Sequence, residues 1–449
     1  MRDIDLEALK DRVVQLYRRN RVATGGRPYH APSLGPWAQL QQSGWPRSWL
    51  WKVAWHLFAP MTVRYPHQWF WDSCAHAIVL SYLEPELAWR ELRSLLALQS
   101  PEGAIPHMAW SPSWKHWRDI PMSYLYANPT GSPYIQPPNL ARSLELVFEK
   151  TGREDELMEV LPGVAHFYVY LEAARDIDGD GLLVIIHPYE SGRDRSPEFD
   201  VALGASTART AWPLLRLIFR HHKARWRWEE IVSRGDFLVK EVLFNCVYAR
   251  NLASLARLEE RVGDAPAARS FKERAARTEA SILAKMLDPQ TGLAYCLDRR
   301  QRAESLIKVP TIASLMPLLL ETIPEAAVLR LVQDHLTNPN EFWLPYPVPA
   351  TLGSSSSIRG HVIWRGAQTW IYTNWLIVEG LYLQAHRFPG MRDSLLKVAH
   401  EIALKSYALV CQEGFREYYD SRSGRGGGAR DMGWSALALD MLSRSPGGA

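Results

Sequence analysis

The chain has 449 residues, of which 47% are hydrophobic and 22% are charged, and this composition excludes an intrinsically disordered protein. The formal net charge is +4 with lysine and arginine spread along the chain, which argues against a nucleic-acid partner because phosphate binding needs a clustered basic face. No run of about 18 apolar residues indicates a membrane span, and the first residues lack the apolar core of a signal peptide.

The N-terminal part alternates helical and irregular segments. Apolar residues at helical spacing predict a first helix over about residues 6–17, and two more over about 69–82 and 84–98. Between the first two, residues 27–66 hold many prolines and tryptophans without a regular period. We therefore expect this irregular segment to wrap over another part of the fold.

Helical periodicity then recurs to the end of the chain, with few strand-like pieces such as Leu182–Ile186. The predicted helices cover about residues 139–150, 154–174, 208–221, 228–244, 246–262, 264–287, 303–319, 324–336, 368–386, 391–409 and 433–443. Helices in successive pairs, without the fixed-length repeat of a solenoid, predict an all-α protein built as an (α/α)6 barrel. We expect one catalytic domain over residues 1–449, with long inserted loops forming a lid over the site.

The segment from His187 to Asp200 concentrates acids, arginines and an aromatic residue directly after an apolar run. Gly192 and Pro197 exclude a continued helix or a central strand, so the segment is predicted to be a loop. An acid held there against an apolar wall would have a raised pKa and would suit a general acid. The alternative is a surface loop whose charges are solvated.

A second carboxylate, Glu417, lies between aromatic residues in the segment Phe415–Asp420. It is a candidate for the second member of a catalytic pair, and the alternative is a surface glutamate on an edge strand. The glycine-rich segment 424–428 follows it. A dinucleotide-binding fingerprint is excluded because no strand or βαβ unit surrounds these glycines. We expect either a flexible segment that moves over the site or a plain solvated loop.

No metal or cofactor is expected. Residues 176–181 resemble the start of a calcium loop, but His187 stands where the bidentate glutamate belongs, so a turn that closes the preceding helix is the better interpretation. The histidines show no ligand spacing such as H-E-x-x-H. Four widely spaced cysteines predict free thiols in a reducing compartment and hence a cytoplasmic protein. The basic stretch 216–227 is interpreted as a helix end.

Several segments together resemble glycoside hydrolase family 63, in its bacterial branch of mannosylglycerate and glucosylglycerate hydrolases. They keep the order of the family motifs from about residue 30 to the C-terminus. The segments are Tyr65-Pro-His-Gln-Trp-Phe-Trp-Asp72, Ala104-Ile-Pro-His-Met108, Ser191-Gly-Arg-Asp-Arg-Ser-Pro197, Trp364-Arg-Gly366 with Trp370, Asn374-Trp-Leu376, Glu417-Tyr-Tyr-Asp420 and Gly433-Trp-Ser-Ala436. The family fold is an (α/α)6 barrel with inserted loops, which agrees with the helical pattern.

The resemblance implies an inverting hydrolase with Asp194 as the general acid and Glu417 as the general base. The expected substrate-binding residues are Tyr65, Trp69, Asp72, His107, Gln136, Trp364, Arg365 and Trp370. For Asp72, the alternative role is an N-cap of the helix that begins there. The chain departs from the family pattern at Ile363 and by one extra residue before Trp370.

The implied reaction hydrolyses mannosylglycerate or glucosylglycerate to a hexose and glycerate, with Asp194 protonating the leaving oxygen while Glu417 activates a water. We expect Asp194 to be the more buried acid and to have a raised pKa. Its neighbours Arg193 and Arg195 are expected to point away or to pair with Glu190 or Glu198. The glycerate carboxylate calls for a cationic partner, and the candidates are Arg209, Arg227 and Arg365.

Two other functions remain open from the sequence. A trehalase-like enzyme or an oligosaccharide α-glucosidase would use the same barrel. A sugar epimerase or a non-hydrolytic sugar-binding protein is a third alternative, and an epimerase would place histidines at the pocket centre. The preference between mannose and glucose, and homo-oligomerisation, also stay open.

Overall fold

The computed structural model describes residues 5–22, 28–34, 65–111, 119–128, 130–301, 303–352 and 362–444. Most of the predicted wrapping segment 27–66 lies outside these residues. Within them the protein is mostly helical, as predicted. None of the described helices combines the length and the apolar character that a membrane span requires.

Fifteen α-helices form within the described residues. They are α1 (Leu6–Asn20), α2 (Phe70–Leu80), α3 (Pro85–Leu96), α4 (Asp119–Tyr126), α5 (Leu140–Thr151), α6 (Glu154–Arg175), α7 (Glu198–Leu203), α8 (Trp212–Lys223), α9 (Trp228–Arg234), α10 (Val242–Val262), α11 (Ala265–Lys285), α12 (Glu325–Arg330), α13 (Ile371–Arg387), α14 (Arg392–Glu413) and α15 (Leu437–Ser443). Shorter helical turns cover Pro188–Ser191, Ile312–Leu319, Leu331–Leu336, Pro389–Met391 and Gly433–Ala436. Capping chemistry fixes several starts, since Asp5 accepts the N–H of Ala8 at 2.8 Å and Asp264 that of Ala267 at 3.0 Å.

Six helical segments contact one another in chain order, and the last contacts the first. They are α2, α5, α10, Ile312–Leu319, α13 and α15. Each of the six also packs against a second segment, in the same order α3, α6, α11, Leu331–Leu336, α14 and α1. All eleven residues of α2 are buried, whereas α11 exposes one side, so the first set is the interior one.

Short strands are more numerous than the all-α prediction allowed. The eleven among the described residues are β1 (Arg21–Val22), β2 (Tyr29–His30), β3 (Gln68–Trp69), β4 (Met108–Ala109), β5 (Val184–Ile185), β6 (Val239–Lys240), β7 (Cys296–Asp298), β8 (Ser305–Ile307), β9 (Gln368–Thr369), β10 (Arg416–Asp420) and β11 (Gly426–Arg430). Strands β5 to β8 form one antiparallel sheet in chain order. Strand β10 lies between β9 and β11 in another, which positions the C-terminal half of the site.

Two predicted helices were wrong in part. The predicted helix 228–244 is interrupted, because α9 ends at Arg234 and β6 precedes α10. The predicted helix 303–319 begins as strand β8 instead. A short apolar run such as 237–239 fits a strand as well as a buried helix, so periodicity alone does not separate them.

The acidic turn after α6 closes that helix, as predicted. The Asp176 carboxylate accepts the N–H of Asp180 at 3.1 Å and of Gly181 at 2.9 Å. The Lys240 ammonium lies 2.7 Å from Asp178 and 2.8 Å from Asp180, where a calcium loop would hold its ion. These acids therefore neutralise a buried lysine.

Candidate active site

A cavity with about 420 Å³ of empty space gathers most of the predicted site residues. Its lining residues are Pro32, Tyr65, Trp69, Trp71, Asp72, Gln136, Gly192, Asp194, Ile363, Trp364, Trp370, Glu417, Met432 and Trp434. Both predicted catalytic acids are among them. Of the predicted substrate-binding residues, only His107 and Arg365 do not line the described part of this cavity.

The acid segment is held firmly and is not a solvated surface loop, so that alternative was wrong. Gly192 has a φ of +68°, and a Cβ there would lie 2.7 Å from the ring of Trp71. The chain therefore needs glycine to pass this closely over the tryptophan. The fully buried Arg193 binds Glu198 at 2.6 Å and Glu241 at 2.5 Å through Nη2. The predicted pairing of Arg193 with Glu198 is confirmed.

The other end of the segment is fixed by Glu190. Its carboxylate binds Arg175 through two bonds of 2.7 and 2.8 Å, and both side chains are buried. It also accepts the backbone N–H of Ile186 at 2.8 Å and of Ile135 at 3.1 Å. A buried charge with all these partners is satisfied, so Glu190 ties the segment to its neighbours.

Asp194 has the character of a carboxylic acid at neutral pH. Burial raises its pKa most, and the charge of Glu417 adds to this, while its own backbone N–H and Arg195 oppose it; the resulting pKa is about 7. The predicted rise in pKa is confirmed. The predicted order of burial was wrong, because Glu417 is 3% exposed whereas Asp194 keeps part of its surface accessible.

Glu417 lies on the central strand β10, so the alternative of an exposed edge-strand glutamate was wrong. The Tyr65 hydroxyl donates to Glu417 Oε1 at 2.8 Å. The backbone N–H of Ala429 donates to Oε2 at 2.7 Å. Ala429 belongs to β11, which pairs with β10. The glycine-rich segment therefore ends in a strand, so the solvated-loop prediction was wrong, while motion of the segment over the site stays a prediction.

Asp72 is buried in the first turn of α2. Burial raises its pKa well above the usual value, and the charge of Glu417 adds to this against the opposing backbone N–H. Its Oδ1 has no hydrogen-bond partner among the described residues. The N-cap position is Trp69, so the N-cap alternative for Asp72 was wrong. A buried acceptor without a partner at a cavity wall suits a ligand hydroxyl.

Aromatic rings form much of the cavity wall. Trp364 stacks on Trp370 with ring centroids 3.7 Å apart and an interplanar angle of 8°. Trp370 also contacts Tyr418 at 5.0 Å and Trp434 at 5.9 Å. The indole N–H groups of Trp69 and Trp370 are buried without a partner in the described part of the chain. The wall therefore offers free donors beside apolar faces.

Two predicted binding residues, Gln136 and His107, contact the tryptophans of the cavity wall. Gln136 Oε1 accepts the N–H of Trp71 at 3.1 Å at the start of α2. His107 contacts the ring of Trp69 at 5.2 Å, and burial lowers its pKa to about 3, so it is neutral. Gln136 still lines the cavity, whereas His107 acts on it through Trp69.

The three arginines considered for a glycerate carboxylate have different surroundings. Arg365 Nη2 binds Asp200 at 2.6 Å and the Thr207 hydroxyl at 2.8 Å. Arg227 forms an ion pair with Glu230 on the surface. Arg209 is exposed. Arg365 therefore connects the segment after Asp194 to the loop that carries Trp364.

Sequence reasoning missed several wall residues. Trp71 and Trp434 lie inside the motifs that carry the family resemblance, so those motifs held the signal. Pro32 comes from the N-terminal arm, which we define as the described residues 5–22 and 28–34, and nothing in its local sequence indicated a site. Met432 follows β11 and reaches the cavity only because that strand pairs with β10.

Residues 65–435 match the family described as Mannosylglycerate hydrolase MGH1-like glycoside hydrolase domain. The chain belongs to this glycoside hydrolase family. The match covers every described site residue except those of the N-terminal arm. Together with a solved structure named as a GH63 mannosylglycerate hydrolase, it confirms the resemblance to glycoside hydrolase family 63 that the motifs indicated.

Named relatives agree with the family. The mannosylglycerate hydrolase of Thermus thermophilus is 28% identical over 410 residues, covering 84% of this chain and 94% of that protein. The glucosylglycerate hydrolase of Mycolicibacterium hassiacum is 26% identical over 426 residues, covering 84% and 92%. The crystal structure of a GH63 mannosylglycerate hydrolase from Thermus thermophilus in complex with glucose superimposes with a TM-score of 0.77 at 27% identity, over 97% of this chain and 100% of that chain.

Proposed function

We propose that this glycoside hydrolase cleaves the α-glycosidic bond of a small sugar-glycerate and releases a hexose and glycerate. The observation that carries the proposal is one cavity lined by Asp194, with a pKa of about 7, and by the doubly hydrogen-bonded Glu417. The substrate class is supported by relatives named mannosylglycerate and glucosylglycerate hydrolases.

Asp194 is the general acid in this proposal. A carboxyl with a pKa of about 7 keeps its proton in a large fraction of molecules at neutral pH. It protonates the glycosidic oxygen as the bond to the anomeric carbon breaks. The glycerate then leaves as an alcohol, which is a far better leaving group than an alkoxide.

Glu417 is the general base. Its carboxylate takes a proton from a water that attacks the anomeric carbon from the face opposite Asp194, so the product has the inverted configuration. Inverting enzymes separate the two carboxyls by about 6.5–9.5 Å to admit this water, against about 5–5.5 Å in retaining enzymes. Support comes from the two acids reaching one cavity on separate elements, the turn after Pro188–Ser191 and strand β10.

The sugar ring is proposed to bind against the aromatic wall. Ring faces suit the C–H groups of a pyranose, and the unpartnered N–H groups of Trp69 and Trp370 suit its oxygens. Asp72 accepts from sugar hydroxyls through its free Oδ1. Gln136 lines the same wall and contributes polar atoms there.

We propose that the helices form an (α/α)6 barrel in a single catalytic domain. Support comes from the six interior segments that contact one another in sequence and from the second segment packed on each. The cavity lies where α2 begins, where β10 crosses and where the loop before α13 folds inward. The predicted lid stays a prediction.

A reducing-sugar assay tests the function. Purified protein is incubated with mannosylglycerate, glucosylglycerate and trehalose, and Asp194→Asn serves as the matched inactive variant. We expect hexose release from at least one glycerate glycoside and none from trehalose. Release from trehalose alone would favour the trehalase alternative, and no release from any α-glycoside would refute the proposal.

A further inference from the structure

The glycine-rich strand β11 lies unusually close to the side chains of β10. A Cβ added at Gly427 would lie 2.3 Å from the ring of Tyr418. A Cβ at Gly428 would lie 2.3 Å from Oε2 of Glu417 and 2.6 Å from its Cβ. Real Cβ atoms do not approach other atoms this closely, so the two glycines allow the backbone to press against the carboxylate.

Gly428 also bends the strand. Its φ is +66°, a conformation that favours glycine, and the register between β10 and β11 shifts between Arg416 and Tyr418. Such an irregularity is a β-bulge, which redirects backbone groups locally. The bulge faces Glu417, and the next residue, Ala429, donates its N–H to Oε2 at 2.7 Å.

The other carboxylate oxygen is held from a distant part of the chain. The Tyr65 hydroxyl donates to Oε1 of Glu417 at 2.8 Å, and Tyr65 precedes β3. The Tyr65 ring meets Trp69 edge-on with centroids 6.0 Å apart. The hydroxyl is thus aimed at the carboxylate by packing on the cavity wall.

We propose that Gly428 and Tyr65 are positioning residues that clamp Glu417 between the Ala429 N–H and the Tyr65 hydroxyl. This proposal rests on the proposed role of Glu417 as the general base. Each oxygen has one fixed donor, so the carboxylate plane is fixed and a remaining lone pair faces the attacking water. Strand β11, whose glycines resembled a loop in sequence, therefore positions the proposed base.

Tyr65→Phe tests the hydroxyl. The variant keeps the ring but removes a hydrogen bond to a charged group, so we expect kcat to fall roughly tenfold while KM changes little. A positioning role predicts this split between kcat and KM, because the substrate keeps its own contacts while the proposed base loses its orientation. Tyr419→Phe is the matched control, since it removes a hydroxyl on the same strand that donates to the Gly414 carbonyl at 2.7 Å.

Gly428→Ala tests the bulge. We expect a roughly tenfold or larger fall in kcat with little change in KM, because the Ala429 N–H is displaced from the carboxylate. Gly424→Ala is the control, since Gly424 also has a positive φ of +75° but its Cβ would meet Tyr346 instead of Glu417. An unchanged kcat in both Tyr65→Phe and Gly428→Ala would overturn the proposal.

A double-mutant cycle separates this proposal from the proposed function. The melting temperatures of wild type, Tyr65→Phe, Glu417→Ala and the double variant give the coupling between the two side chains without any substrate. We expect Tyr65→Phe to lower the melting temperature in the wild-type background and to have little effect beside Glu417→Ala. Equal effects in both backgrounds would refute the clamp. Coupling without hydrolysis of any α-glycoside would refute the function but not the clamp.

Discussion

Asp194 and Glu417 are more than two hundred residues apart in sequence, yet they line one cavity, and the charge of Glu417 adds to burial in raising the pKa of Asp194. Their environments differ. Asp194 lies near the charge of Arg195, whereas Glu417 accepts hydrogen bonds from the Tyr65 hydroxyl and the Ala429 N–H. Such a difference lets two carboxyls in one site take the roles of acid and base.

Replacement of the proposed acid should abolish most activity and preserve the fold. For Asp194→Asn we expect kcat to fall roughly 10²- to 10⁴-fold, because the amide has no proton to give to the leaving oxygen. The melting temperature at pH 8 should stay equal or rise, since the variant no longer buries a charge. Near-normal hydrolysis by this variant would remove Asp194 from the mechanism.

The pH profile should report the raised pKa of Asp194. The acid works only while it is protonated, so kcat/KM should fall as the pH rises through about 7. The measurement is the wild-type rate between pH 4 and pH 9 at constant ionic strength. A kcat/KM that does not fall up to pH 9 would show that another group donates the proton.

The variant Arg365→Ala tests whether Arg365 joins two segments of the protein or contacts the substrate. Arg365 is 7% exposed and binds Asp200 and Thr207. Its replacement by alanine should therefore lower the free energy of unfolding by about 2 kcal/mol, a value between those of exposed and buried ion pairs. If Arg365 only holds the loop that carries Trp364 in place, Arg365→Ala should raise KM for a charged sugar-glycerate and for a neutral aryl α-glycoside alike.

The matched control for Arg365 is Arg300→Ala, which removes a more exposed ion pair with Asp298. We expect this control to leave both KM values unchanged. If Arg365→Ala weakened binding of the sugar-glycerate alone, Arg365 would be a carboxylate ligand, a role for which the sequence left three candidates open.

The buried cluster of Glu91, His30 and His76 should determine how the stability of the fold decreases in acid. Burial would raise the pKa of Glu91, but hydrogen bonds and charges from His30 and His76 outweigh it and bring the pKa to about 2. Because the pKa of Glu91 is lowered in the folded state, its charged form stabilises the fold above pH 4.5. This stabilisation is lost as the pH falls towards 2. The loss should reach roughly 3 kcal/mol.

The measurement for Glu91 is chemical denaturation of wild type and Glu91→Gln between pH 2 and pH 7. The variant should be less stable at pH 7 and should depend less on pH below 5. Parallel curves for the two proteins would show that Glu91 does not carry the acid sensitivity.

The helical core was predictable because its pattern is local. Apolar residues at helical spacing placed α1, α3 and α6 to within a few residues. Strand β6 was missed because an apolar run of this length has no period of its own. Strand β11 was missed because glycines have low strand propensity, and this strand forms by pairing with β10.

Site residues were predictable from the sequence only where they lie in family motifs. Asp194, Glu417 and Trp69 stand in such motifs, and the structure brings them together. Partners that depend on tertiary contacts were not predictable. The ion pair of Arg365 with Asp200 joins residues far apart in sequence, and no local pattern distinguishes a buried tie from a ligand contact.

The stereochemistry of the product tests the central claim most directly. Proton NMR is used to follow the anomeric signals of the hexose during the first minutes of hydrolysis of an α-linked sugar-glycerate, before mutarotation. The account predicts that the β-anomer forms first, because Glu417 activates a water on the face opposite Asp194. If the α-anomer formed first, the opposed acid and base assigned to these two residues would be contradicted.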